Sequence, residues 1–186
     1  MNRSTGRTML HASATETASE KNPRHKNPSA ALTVDVVVNS ALWQAEPKAR
    51  AIVRRSVMEA AAAVSTTAGE LAIVLTDDSA VRKLNREWRN KDAATNVLSF
   101  PVPAGAGGAM LLGDIVIAYE TTAREAQAGG KPLRNHLVHL AVHGFLHLVG
   151  YDHETDREAD AMESLEADIL SRLGVPNPYE LPAGDS

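Results

Sequence analysis

Runs of β-branched residues, apolar positions at helical spacing, and Gly/Pro breaks divide the chain into nine predicted elements. Leu32–Val38 (LTVDVVV) is β-branched and bounded by Asn39, which predicts a strand. Pro47 to about Val64 reads as a helix, with proline tolerated in its first turn. Glu70–Leu75 reads as a second strand. Thr76, Asp77 and Asp78 are N-cap candidates for a helix running to about Asn90, with Val81, Leu84 and Trp88 as its apolar stripe. Asn96–Phe100 and Leu112–Ala118 predict two more strands, separated by the Gly/Pro/Ala loop Pro103–Gly108. A helix follows from about Tyr119 to Ala128 and closes at Gly129-Gly130. Pro132 opens another, which ends at Val149. Thr155-Asp156-Arg157-Glu158 has the form of a capping box. It starts a last helix with apolar Met162, Leu165 and Ile169 at helical spacing, ended by Gly174 and Pro176. The order β-α-β-α-β-β-α-α-α predicts an α+β fold: one domain with a small mixed four-stranded sheet covered by about five helices.

Residues 1–31 are rich in Ser, Thr, Asn, Lys and Arg and lack apolar periodicity. They read as a disordered extension, residues 32–175 as the domain, and 176–186 as a flexible tail. The 186-residue length suits one domain plus such segments, and 44% hydrophobic residues supply a core. There is no cysteine, which excludes disulfides, thiolate metal sites and a cysteine nucleophile. Histidine and carboxylate are the remaining good metal ligands, and seven histidines are present. No apolar run approaches the roughly 20 residues that cross a bilayer, and the start has no signal-like apolar core. The expectation is a soluble cytoplasmic protein without a membrane partner. The net charge of −4 is uneven: +3 over residues 1–31, zero over 32–153, and −7 over 154–186. A polyanion could therefore still meet a local basic surface away from the C-terminal end.

The strongest chemical signal is His143-Gly144-Phe145-Leu146-His147-Leu148-Val149-Gly150-Tyr151-Asp152-His153. His143 and His147 are one helical turn apart and project from the same side. Gly150 is a natural helix stop, after which the chain can reverse and return His153 to the same point. Three neutral imidazoles meeting at one point suit zinc and leave a fourth position for water, the arrangement of a catalytic site. His136 and His139 share the helical stripe with His143 and His147, so periodicity alone leaves open which pair binds the ion. Gly144 stands where His-Glu-x-x-His peptidases carry their general base, which argues against that class.

These residues resemble the YbeY family of single-domain, metal-dependent bacterial endoribonucleases. The signature H-G-x-L-H-L-x-G-Y-D-H is matched from His143 to His153. So are Leu84-Asn85, Trp88-Arg89-Asn90-Lys91-Asp92, Thr95-Asn96-Val97-Leu98-Ser99-Phe100-Pro101 and Leu112-Gly113-Asp114-Ile115. The resemblance runs from about Leu32 to Leu173. Trp88 replaces a common tyrosine and Ala94 a common proline; neither change removes a reactive group.

The resemblance implies one Zn2+ per chain at the end of a central helix, held by His143, His147 and His153. It implies a catalytic or phosphate-binding role for Arg89, with His143 also part of the catalytic set. The implied activity is single-strand-specific RNA cleavage in ribosomal RNA maturation, at the small-subunit 3′ end, and in ribosome quality control. The partners are then ribosomal RNA and the ribosome or its proteins. His136 and His139 are expected as buried, hydrogen-bonded supports of the stripe, the alternative being phosphate contact by one of them. Asp152 is a candidate to orient an imidazole, or a plain turn residue. Arg82 is expected as a solvated surface charge, with Lys91 extending the basic surface. Asn96 and Ser99 are expected beside the cleft, Asp114 in its architecture, and Glu120 and Glu125 on ordinary helix surface. Two rivals remain: a metal-dependent hydrolase of another substrate class, and a non-enzymatic ribosome-associated RNA-binding factor with a structural metal. The latter would need a fourth protein ligand.

Overall fold

The computed structural model of the chain describes residues 31–103 and 111–180. Residues 1–30, the predicted loop beyond Pro103 and residues 181–186 lie outside the described residues. The elements are β1 (Leu32–Val38), α1 (Ala49–Ala63), β2 (Gly69–Thr76), α2 (Asp78–Arg89), β3 (Val97–Pro101), β4 (Leu111–Ala118), α3 (Tyr119–Ala128), α4 (Leu133–Leu148) and α5 (Asp156–Arg172). The predicted order stands, with boundaries shifted by one or two residues. Both halves of the capping box are made: Thr155 accepts from the Glu158 backbone and Glu158 reaches back to Thr155. One element was not expected, a 3₁₀ turn at Ala41–Ala45. It buries Trp43 to 2% exposure, with the indole N–H donating to the Thr76 carbonyl at 2.9 Å.

The sheet order is β1-β2-β4-β3. β1, β2 and β4 run parallel: α1 carries the chain back between β1 and β2, and β3, antiparallel to β4, carries it back between β2 and β4. Val34, Val36, Leu71, Ile73, Leu75, Ile115 and Ile117 share one core with Val53 and Val57 of α1, Phe145 of α4 and Met162 and Ile169 of α5. A smaller core joins Leu98, Val116 and Ala118 to Val81 of α2. Alternate residues of β4 serve the two cores, as the two-residue period of a strand requires. The free edge of β1 is covered by α1: Arg50 and Arg54 donate to the Val36 and Val34 carbonyls.

α4 is the central helix. Leu137, Val138, Leu140, Ala141, Val142, Phe145 and Leu146 are all buried, so the helix is apolar nearly all round, as an enclosed helix must be. Its histidines form the remaining polar stripe. Gly144 sets how closely α4 approaches the sheet. A Cβ there would sit 2.8 Å from Ile115 Cγ2 and 3.2 Å from Ser99 Oγ. The bare backbone also lets the Gly144 carbonyl accept from Ser99 Oγ at 3.1 Å. The position that lacks a peptidase glutamate therefore has no room for one.

Candidate metal centre

The C-terminal end of α4 builds the site. Gly150 adopts φ +92°, which a side chain rarely tolerates. The Tyr151 N–H donates to the Leu146 carbonyl at 3.0 Å and the Gly150 N–H to the His147 carbonyl at 3.2 Å, a Schellman closure. The reversal carries the chain back past its own last turn. His143, His147 and His153 then each offer a ring nitrogen, all within 4.8 Å of one another.

The acceptors around the rings decide their tautomers. The His147 Nδ1 lies 3.0 Å from the Tyr151 carbonyl, which can only accept, so Nδ1 carries the proton. The His143 Nδ1 lies 2.7 Å from Glu166 Oε1. Burial drives the Glu166 carboxyl upward, but hydrogen bonds from His139, His143 and Tyr179 outweigh it and hold the pKa down at about 2. An ionised Glu166 also only accepts, so His143 too is protonated at Nδ1. Both Nε2 atoms are left with lone pairs, 3.1 Å apart. Two lone pairs at that distance repel unless a cation lies between them. Two ligands on a tetrahedral zinc at 2.0–2.1 Å stand about 3.3 Å apart. The donor set and its spacing therefore fit zinc, with the His143 and His147 rings oriented from behind in the usual manner of metal-bound histidine. Burial, together with the His143 and His153 rings, lowers the His147 pKa, which keeps the imidazole neutral and able to ligate.

The three rings open into a cleft of about 690 Å³ whose lining includes Arg89, Asn96, Ser99, Tyr151, Asp152 and Glu154. Arg89, in the last turn of α2, crosses the edge of β3, and its Nη2 lies 3.4 Å from the Ser99 carbonyl. An exposed cation thus shares one cavity with the histidines. The sequence model of the family described as Endoribonuclease YbeY matches residues 38–174. The chain belongs to this family. A YbeY endoribonuclease of Rhodopseudomonas palustris strain BisB18 is 58% identical over 153 residues, covering 78% of this chain and 90% of that one. One of Nitrobacter hamburgensis is 55% identical over 153 residues, and one of Bradyrhizobium sp. strain BTAi1 50% over 155. A solution structure of TM1509 from Thermotoga maritima aligns with a TM-score of 0.45 at 19% identity, covering 82% of this chain and 99% of that one.

Of the YbeY signature residues read from the sequence, the structure brings His143, His147, His153, Arg89, Asn96 and Ser99 to one cleft. Asp114 is not among them; it lies exposed on β4, beside Asp35 and Glu70. Asp152 takes the turn role: its Oδ1 accepts from the His153 N–H at 2.8 Å and stays 4.0 Å from His147 Nδ1. The carbonyl of Tyr151 orients His147 instead. His136 and His139 are hydrogen-bonded supports, His136 to Glu125 at 2.8 Å and His139 to Glu166 at 2.9 Å.

Three readings need correction. Glu125 is not ordinary surface, because it joins Asn96 Nδ2 at 2.8 Å to His136 and so links the cleft wall to α4. Glu120 is not either; its carboxylate accepts from the Asp78 N–H at 2.8 Å and caps α2, while Asp78 accepts from Thr121 at the start of α3. Arg82 keeps its expected place as a solvated surface charge, 57% exposed, and there forms a two-pronged pair with Asp92 at 2.7 and 2.8 Å. Trp88 does not continue the buried stripe of α2, being 70% exposed.

Glu166 was missed. It is 0% exposed on α5 and takes hydrogen bonds from His139, His143 and Tyr179. A signal existed, because Met162, Glu166 and Ile169 share one face of the helix, so a carboxylate sat on a stripe otherwise apolar. Tyr179 falls inside the segment read as a flexible tail, and it packs edge-on against His139 at 5.8 Å.

Proposed function

We propose that this endoribonuclease cuts single-stranded RNA at one zinc ion per chain, held by His143, His147 and His153, with Arg89 facing the phosphoryl group. The observation that carries the reading is the pair of Nε2 lone pairs 3.1 Å apart, each fixed by an acceptor behind its ring. Bound there, zinc would supply Lewis acidity toward phosphoryl oxygen and activation of water. The chain's own residues do the rest. Glu166 and the Tyr151 carbonyl hold His143 and His147 in the ligating tautomer. Arg89 binds and orients the phosphate and offsets charge that develops on its oxygens. Among the described residues, Asp152 and Glu154 are the carboxylates lining the cleft, and so the groups positioned to take a proton. The substrate is ribosomal RNA, cut near the small-subunit 3′ end and during ribosome quality control, in the cytoplasm. Family membership and the basic residues of α2 support this, and ribosome or ribosomal-protein contact follows from it.

The peptidase alternative meets the wall of Ile115 and Ser99 at Gly144. The structural-metal alternative needs a fourth protein donor. His139 is the nearest further imidazole on α4, but its Nε2 is engaged by Glu166 and its ring centroid stands 6.1 Å from that of His143. The test is elemental analysis of the purified protein, with cleavage of a single-stranded RNA before and after chelation. One zinc per chain and cleavage lost with the metal are expected. Full cleavage in metal-free protein would refute the reading.

A further inference from the structure

We propose that Trp88 is a stacking platform for a nucleobase of the single strand bound at the cleft, an inference that rests on the RNA chemistry proposed above. Along α2 the stripe of Val81, Leu84 and Trp88 passes from 0% exposed, through half-buried, to 70% exposed. A core role would cover the indole, yet its aromatic contact is a single edge-type one, with Phe100 at 6.2 Å and 65°. Phe100 lies on the α2 side of β3, while its neighbour Ser99 faces α4 and the cleft. The indole therefore stands on one side of β3, and the histidines stand on the other.

Arg89 connects the two sides. It follows Trp88 in the chain, reaches the Ser99 carbonyl at 3.4 Å and lines the cleft. Arg86 and Lys91 are exposed on the same segment, and Arg86 lies 4.0 Å from Asp92 on a different face of α2 from the indole. A polyanion crossing β3 from the histidines meets Arg89 and then the indole. That combination of a cationic track and an open aromatic face suits single-stranded nucleic acid. Every unpaired base offers a π-face, and stacking needs no base-specific hydrogen bonds. A duplex cannot use the platform, because its bases already stack on each other. The subsite thus gives the enzyme a physical reason to prefer single strands without reading sequence.

The chain has two tryptophans, and Trp43 is 2% exposed, so a change of emission on adding RNA reports Trp88. The experiment uses the zinc-loaded protein and a 2′-O-methyl oligoribonucleotide, chosen to slow cleavage. The single strand should quench emission, whereas a duplex and an abasic strand of equal length should not. Trp88→Ala should abolish the quenching and weaken binding of the single strand roughly tenfold. It should bind the abasic strand as the wild type does. Trp88→Tyr should recover most of the affinity, which a misfolded or merely destabilised protein would not. Unchanged emission with normal single-strand binding by Trp88→Ala would overturn the platform. If that happens while the wild type still cuts RNA, the platform alone fails. If the wild type neither binds nor cuts RNA, the functional reading falls and the platform with it.

Discussion

Replacing Glu166 by glutamine tests the zinc reading from behind the ligands. The change keeps side-chain volume and removes a fully buried negative charge. In the wild type two carboxylate oxygens take hydrogen bonds from three groups: His143 on Oε1, and His139 and Tyr179 on Oε2. An amide has one accepting oxygen and one donating nitrogen, so it cannot serve both sides. If the amide oxygen faces His143, the NH2 faces His139 and Tyr179. Tyr179 can rotate its hydroxyl, but His139 must move its proton to Nδ1, which is buried without a partner. One unsatisfied buried donor costs about 1–3 kcal/mol. If the NH2 faces His143 instead, His143 must accept at Nδ1 and carry its proton on Nε2, where the lone pair for zinc should be. Either way a negative charge that would offset the ion is gone. The expected result is a folded protein less stable by about 1–3 kcal/mol without metal, with zinc affinity ten- to a hundredfold weaker. Chelator competition reads the affinity, and urea denaturation in excess chelator reads the stability. Wild-type zinc affinity in folded Glu166→Gln would refute the tautomer argument, and with it the account of how His143 is prepared.

His143→Ala, His147→Ala and His153→Ala should each abolish stoichiometric zinc by elemental analysis, and full zinc in any one would remove that residue from the set. Arg89→Lys keeps a charge but loses the planar fork, so single-turnover cleavage should slow roughly ten- to a thousandfold with binding nearly unchanged; an effect on binding alone would make Arg89 a grip. Gly144→Ala should destabilise the domain by about 1–3 kcal/mol in urea, since the new Cβ meets Ile115 at 2.8 Å, and a neutral outcome would show that α4 can slide. Burial lowers the His136 pKa more than its hydrogen bond to Glu125 raises it, with Lys131 and His139 also lowering it. The folded state therefore resists a proton that the unfolded chain accepts, and this contribution to stability is full above about pH 6.5 and lost as pH falls below it. His136→Gln in excess chelator should flatten the fall of the urea midpoint between pH 7.5 and 5.5, and an unchanged slope would exclude His136 as its source.

The local order of this protein was legible in its residues. The Thr155–Glu158 capping box, the Asp77 cap of α2, the Gly150 stop and the turn spacing of His143 and His147 each depend on residues within one or two helical turns. Backbone geometry ties such residues together whatever surrounds them. The family signatures added Arg89, which periodicity alone would have left as one of several helical arginines.

What lay beyond reach depends on how elements meet. Glu166 stands 23 residues from His143, and only the packing of α5 on α4 turns a surface-type residue into a buried acceptor. Packing likewise brings Glu125 to Asn96 across 29 residues. Trp88 looked like core because it continues an apolar stripe, and only its place beside the β3 edge leaves it in water. Gly144 read as a missing acid, whereas the sheet behind it shows a position without room for any side chain. The sequence by itself determined which residues could ligate and where the helix would stop, because spacing and turn chemistry act along the chain. The tertiary structure alone decided which carboxylates orient the histidines and which surfaces stay open, because burial and hydrogen bonding between distant elements exist only after the layers have packed.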